Sequence, residues 1–220
     1  PFPAVLCLHP TDDVVGHGVV VGLGGKANRA YASELAERGF VTLAPAYPHL
    51  AQYCPDWAAL GYVSGTMKAI WDNVRGLDVL EDMEEVRAGG VGAIGHSLGG
   101  HNAIYTATFD ARIAAVVSSC GFDSYQAYKD GDITGWTSSC YMPRLRDYAL
   151  AAIPFDFHDM VAALAPRPFF ASAPLSDDNF KWQSVDAVAA AARRVHSRSS
   201  SSPTAALPYD FLEPARPPAG

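Results

Sequence analysis

The run Gly95-His96-Ser97-Leu98-Gly99-Gly100 is the part of the chain best suited to chemistry. It fits G-x-S-x-G, a pattern that needs a serine on a tight strand-to-helix turn, with small residues two before and two after it. The context agrees: residues 91–94 read as a buried strand and residues 98–107 as a helix. Such a turn exposes the Ser97 hydroxyl at the carboxyl end of a parallel sheet, where open α/β sheets place their ligands. The chemistry is acyl transfer, in which the hydroxyl attacks a carbonyl and forms an acyl-enzyme through a tetrahedral oxyanion. A glycine-rich strand–helix turn with an incidental serine is the alternative.

An oxyanion needs two donors. One is the N–H of Leu98, directly after the nucleophile at the helix start. The second normally comes from the loop after an early strand, here His9-Pro10-Thr11. Pro10 has no N–H, which leaves Thr11.

Serine chemistry also needs a base, and seven histidines are available. His96 and His101 flank the elbow, one packed beside the turn and the other on the following helix. His9 ends the first strand and shapes the oxyanion loop. His17, His49 and His158 lie in loops without partner spacing. His196 ends an alanine-rich helix, where a solvated cation beside the helix C-terminus is its plain explanation and the base a weaker one. No metal-ligand spacing occurs, and Gly22-Leu23-Gly24-Gly25 falls short of a dinucleotide fingerprint. Among the cysteines, Cys7 and Cys120 sit in apolar runs as small hydrophobes, and Cys54 and Cys140 lie in loops where they could pair.

The elements that must hold these residues alternate. Strands are expected at 4–8, 41–44, 91–94, 113–118 and 168–173. A helix capped by Asn28 runs to Arg38 and ends at Gly39. A second, over 65–85, places Met67, Ile70, Trp71, Val74, Leu77 and Leu80 on one face. Another, over 182–195, carries Trp182, Val185, Val188, Ala189 and Ala192 on one side. Strands alternating with helices imply a mostly parallel, doubly wound α/β sheet covered on both faces. Residues 121–154 are irregular and aromatic, and read as a cap insertion with Phe122, Tyr125, Trp136 and Tyr141 lining the site or forming a small core of their own. Residues 1–196 thus form one core with this insertion, and 197–220 a Ser/Pro-rich tail. Within the tail, 204–212 could add a strand, weakened by Pro208.

Bulk properties narrow the partners. The chain has 220 residues, 49% of them hydrophobic, which suits one packed core. A net charge of −7 without a dense basic run argues against nucleic acid. No apolar stretch approaches the roughly 20 residues of a membrane span, and no signal peptide is legible, so a soluble protein is expected. The apolar opening at Pro1, without an initiator Met, reads as a processed or incomplete chain.

The sequence resembles the dienelactone-hydrolase-like and acetyl-xylan-esterase-like branch of the α/β-hydrolase superfamily. The resemblance rests on Leu8-His9, Ser64-Gly65-Thr66-Met67-Lys68, Gly-His-Ser-Leu-Gly-Gly-His at 95–101, Ser118-Ser119-Cys120-Gly121 and Ala165-Pro166-Arg167-Pro168. It implies hydrolysis of a small-molecule ester or lactone without metal or organic cofactor. It also places the triad acid just past the fifth strand, within Pro174-Leu175-Ser176-Asp177-Asp178-Asn179. Asp177 matches the family position better than Asp178, which could instead cap the next helix. The family carries its histidine after the last strand, commonly in a Gly-His-Asp-like turn. Here the sequence after Asp177 offers His196 alone.

Overall fold

The computed structural model describes residues 1–199 and 209–210. Six strands form one parallel sheet: β1 (Phe2–Leu8), β2 (Val41–Leu43), β3 (Val86–His96), β4 (Ile113–Ser119), β5 (Phe169–Ser172) and β6 (Tyr209–Asp210). Their order is β2-β1-β3-β4-β5-β6. The helices are α1 (Tyr31–Glu37), α2 (Gly65–Asp82), α3 (Leu98–Phe109), α4 (Phe157–Ala163) and α5 (Trp182–Ser199). This is the doubly wound α/β arrangement that the alternation of elements predicts. None of the described helices is long and apolar enough to cross a membrane. Most of the expected flexible tail, including 200–208 and the Pro-rich end, lies outside the described residues, and β6 falls inside the expected 204–212 strand.

β1 and β3 are central and buried, so apolar side chains occupy both of their faces. Leu6, Cys7 and Leu8 are buried in β1, and Val91 and Ala93 in β3. α3 lies across β1, β3 and β4, and its residues 98–107 are all buried. Two arginines tie its far end. Arg167, from the Ala-Pro-Arg-Pro run, donates to the carbonyls of Ala107, Asp110 and Ile113 at 2.7, 3.2 and 2.9 Å. These contacts satisfy carbonyls that a helix end leaves bare. Arg112 bridges Asp110, Asp78 and Glu81, joining this corner to α2.

α2 turns a different face inward than its apolar pattern suggests. Met67 and Trp71 are 47% exposed, and the buried stripe runs through Thr66, Ala69, Asn73, Leu77 and Leu80. The reason is polar: Asn73 Nδ2 donates to Thr106 Oγ1 at 2.9 Å and Asn102 Oδ1 at 3.3 Å on α3. A buried amide must be paired, and this pair fixes the rotation of the helix. Met67 and Ile70 instead border an open apolar groove of about 660 Å³ beside α3 and α4, with Phe109, Met142 and Phe155.

α1 begins at Tyr31, without a side-chain cap, because Asn28 takes a left-handed conformation (φ 57°) instead of capping. Gly39 ends this helix as expected, at φ 88°. α4 is absent from the sequence expectations. Its signal was local and missed: Asp156 and Asp159 form a reciprocal capping box at its start. All four cysteines are free, so Cys54 and Cys140 do not pair. Cys7 is fully buried, while Cys120 lies just past β4 and is half-buried.

Candidate active site

Ser97 sits between the end of β3 and the start of α3 with φ 53° and ψ −118°. That region is sparsely populated for a residue with a side chain, and holding it costs on the order of 1–3 kcal/mol. The surroundings hold it by force of packing. Ser97 N–H donates to Ser119 O at 2.8 Å, and Ser97 O accepts from Gly100 N–H at 2.8 Å. A Cβ on Gly95 would fall inside the Gly99 carbonyl, and one on Gly99 inside the Leu8 carbonyl. A Cβ on Gly100 would stand 2.7 Å from Gly121 Cα. Three glycines are therefore required because three backbones converge there. Ser97 makes no side-chain capping bond to α3, which leaves its hydroxyl free of that structural duty.

The loop after β1 is equally constrained. His9 Nε2 accepts from Tyr47 N–H at 2.9 Å, which puts the ring proton on Nδ1, aimed at Pro10 O at 2.7 Å. Burial lowers the His9 pKa, so the ring stays neutral and acts as a fixed brace. On the other flank, Asp12 accepts from Val14, Val15 and Gly16 N–H groups and pairs with Lys26 at 2.5 Å. These contacts, Lys26 first, hold its carboxyl well below the usual carboxylate range. Thr11 is exposed between these two braces. Among the described residues, neither the Thr11 nor the Leu98 N–H meets a backbone or side-chain acceptor.

Asp177 is half-buried in the turn after β5, whereas Asp178 is exposed. Asp177 Oδ1 accepts from Asn179 N–H at 2.8 Å and Phe180 N–H at 3.1 Å, so it is Asp177 that closes the turn leading into α5. Its charge is felt at His96 and at Cys120, which lie beside the elbow. The structure therefore brings Ser97, Leu98 and Asp177 to one end of the sheet, next to the loop bearing Thr11.

The histidines resolve differently. His196 is not a solvated cation: it is 2% exposed, and its Nε2 lies 3.0 Å from Val161 O on α4. The cause is periodicity. The buried stripe of α5 runs Val185, Val188, Ala189, Ala192 and then His196, four residues on. His96 Nδ1 is 3.1 Å from Ser119 Oγ; burial, aided by Arg29, lowers its pKa to about 4 against the opposing pull of Asp177. His49 stacks on Trp57, and His158 is exposed beside Asp159.

His101 is 5% exposed, with Nδ1 3.0 Å from Gly121 O and its ring among Trp136, Tyr105 and Tyr141. Burial lowers its pKa from 6.5 to about 4. Between those values the unfolded chain holds a proton that the folded chain refuses. Stability is therefore full above pH 6.5 and falls as pH drops toward 4, by about 3 kcal/mol from this group. Urea unfolding at pH 7 and pH 4.5 should show a smaller acid loss in His101→Gln than in the parent. Equal losses would place the acid sensitivity elsewhere.

Of the four aromatics expected either to line the site or to form a small core of their own, Phe122, Tyr125 and Trp136 are 1–3% exposed and pack on Phe157 in the main core. Only Tyr141 of the four is half-exposed, and its hydroxyl lies 3.0 Å from Thr11 Oγ1. Among the described residues no cluster of three or more His, Cys, Asp or Glu is placed to hold a metal ion. None of Thr11, Ser97, Leu98 or Asp177 lines the apolar groove beside α2.

The family model described as glucuronyl esterase, fungi, matches residues 61–199, well over half the chain and including both the elbow and Asp177. The chain belongs to this glucuronyl esterase family. Its fold is that of the α/β hydrolases. A glucuronoyl esterase from Solibacter usitatus superposes with a TM-score of 0.66 at 20% identity, over 90% of this chain and 61% of that one. A carbohydrate esterase family 15 glucuronoyl esterase from Caldicellulosiruptor kristjansonii gives 0.68 at 18% identity, over 90% and 59%. The protein YtaP of Bacillus subtilis (strain 168), named as a hydrolase, is 27% identical over 120 residues, which is 54% of this chain and 38% of YtaP. The chain thus spans less than two thirds of the length of each of these relatives.

Proposed function

We propose that this chain is a carboxylic-ester hydrolase that works through an acyl-enzyme on Ser97, with a uronic-acid ester as its substrate. The observation that carries the reading is the strained Ser97 backbone, held by three converging glycine contacts at the end of the sheet. Strain of that kind at a residue with a free hydroxyl marks a functional position more often than a structural one. Family membership and the names of the similar esterases supply the substrate class. In this reading the Leu98 and Thr11 N–H groups stabilise the tetrahedral oxyanion, and Asp177 orients the base that takes the Ser97 proton. The sequence's one candidate after Asp177, His196, does not fill that role, because it is buried on Val161 O. A thioesterase or lactonase would use the same residues.

A second reading is a hydrolase-fold binding module without turnover. It is favoured by the disposition of the histidines: His196 is spent on Val161, and His101 and His9 are buried braces. A fluorophosphonate probe separates the two. An activated Ser97 takes the probe within minutes, and mass spectrometry finds the phosphonyl adduct on the peptide bearing residues 95–101. Unmodified Ser97 after hours of exposure would leave the binding module standing.

A further inference from the structure

The segment 139–141 is fastened to the start of α2 by backbone contacts. Gly65 N–H donates to Ser139 O at 3.1 Å and Thr66 N–H to Tyr141 O at 3.4 Å. Tyr47 OH donates to Cys140 O at 2.7 Å, and a Cβ on Gly65 would overlap the Cys140 backbone. The first N–H groups of a helix lack internal partners, so carbonyls from the insertion serve as its cap, alongside Ser64 Oγ on Met67 N–H. The ring of Tyr141 then packs against the small apolar cluster of Tyr47, Leu50, Ala69 and Leu98, with the Tyr47 ring centre 6.3 Å away. Its hydroxyl emerges beside Thr11.

We infer that Tyr141 is a positioning residue for ester hydrolysis, fixing the Thr11 N–H in the oxyanion hole through the Thr11 hydroxyl. The inference rests on the proposed acyl-transfer function. His9 and Asp12 hold the chain on either side of Thr11, and neither touches Thr11 itself. The Tyr141 hydroxyl is the contact that does. An oxyanion donor acts in the transition state, and its value depends on being aimed before charge develops. Loosening it lowers kcat and leaves KM nearly unchanged.

The test measures kcat and KM for 4-nitrophenyl acetate together with the backbone order parameter of the Thr11 amide. Tyr141→Phe should lower kcat about tenfold, keep KM within about twofold, and drop the Thr11 order parameter from about 0.85 toward 0.6. Thr11→Val should reproduce the loss, Thr11→Ser should lose less than threefold, and Tyr141→Phe with Thr11→Val should be no worse than either alone. Gly65→Ala, which displaces the fastened segment, should loosen Thr11 in the same way. An unchanged Thr11 order parameter in Tyr141→Phe overturns the inference, with or without measurable turnover. So does a loss confined to KM. Ser97→Ala in the same assay checks the underlying function separately: hydrolysis surviving there defeats the acyl-enzyme reading, whatever Tyr141 does.

Discussion

Ser97→Ala should abolish measurable ester hydrolysis while moving the thermal midpoint by only a few degrees. The hydroxyl makes no capping bond to α3, and alanine suffers the same backbone strain at φ 53° that serine does. The contacts that keep this conformation run through the backbone, from Ser97 N–H to Ser119 O and from Gly100 N–H to Ser97 O. All of them survive the change. What is lost is the atom that forms the acyl bond; Leu98 and the flanking glycines carry no nucleophile, and His96 is engaged through Nδ1 with Ser119 Oγ at 3.1 Å. A loss of at least about 10³-fold is expected on a short-chain nitrophenyl ester. Hydrolysis at the parent rate would move the chemistry to another residue. A large fall in the melting temperature with activity lost would instead make Ser97 a folding residue. At roughly 2–4 °C per kcal/mol for a chain of this size, the two outcomes are easily told apart.

The second large effect separates neighbours. Asp177→Asn should cost far more activity than Asp178→Asn, by a factor of the order of 10⁴ in a comparable triad, where the amide holds the imidazole in the wrong tautomer. Asp177 is half-buried and its charge reaches His96 and Cys120 beside the elbow, while Asp178 points to solvent. The comparison is made in any form of the protein that turns the ester over. Asn can still accept from Asn179 and Phe180 N–H groups, so the turn should persist and the loss should be chemical. Thermal midpoints of both variants check that point. Equal kcat/KM losses, or the greater loss at Asp178, would reverse the assignment.

Much of the fold could be read before any coordinates because its signals are local. The strands at 41–43, 113–119 and 169–172 are short apolar runs, and the elbow announces itself through glycines whose necessity is steric. The inner stripe of α5 was equally legible, and continuing it by one turn places His196 on Val161 instead of in solvent. Where the reading failed, a polar contact or a distant backbone decided. The rotation of α2 is set by Asn73 meeting Asn102 and Thr106, a pairing that apolar periodicity ignores. The aromatics at 122, 125 and 136 suit a lid or a small core equally by composition, and they join the main core because α4, absent from the sequence expectations, delivers Phe157 against them. At the candidate site, Ser97, Leu98 and Asp177 are proposals that pattern and resemblance suggest, and the fold places them at one end of the sheet. Tyr141 emerged as one lining residue among four, and its bond to Thr11 spans 130 positions that no local pattern connects.

The fastening of residues 139–141 to the start of α2 also sets terms for remodelling this chain. The turns at 143–147 and 150–152 hang from a segment whose carbonyls already serve as a helix cap. A library that randomises those turns but leaves Gly65, Tyr47 and positions 138–142 intact would vary the neighbouring surface over an unchanged hinge point. Swapping the whole 121–154 stretch from a distant homologue would instead uncap α2 and release Tyr141 together. Chimeras joined at 142 should therefore outperform chimeras joined at 121, although the second junction lies closer to a strand end.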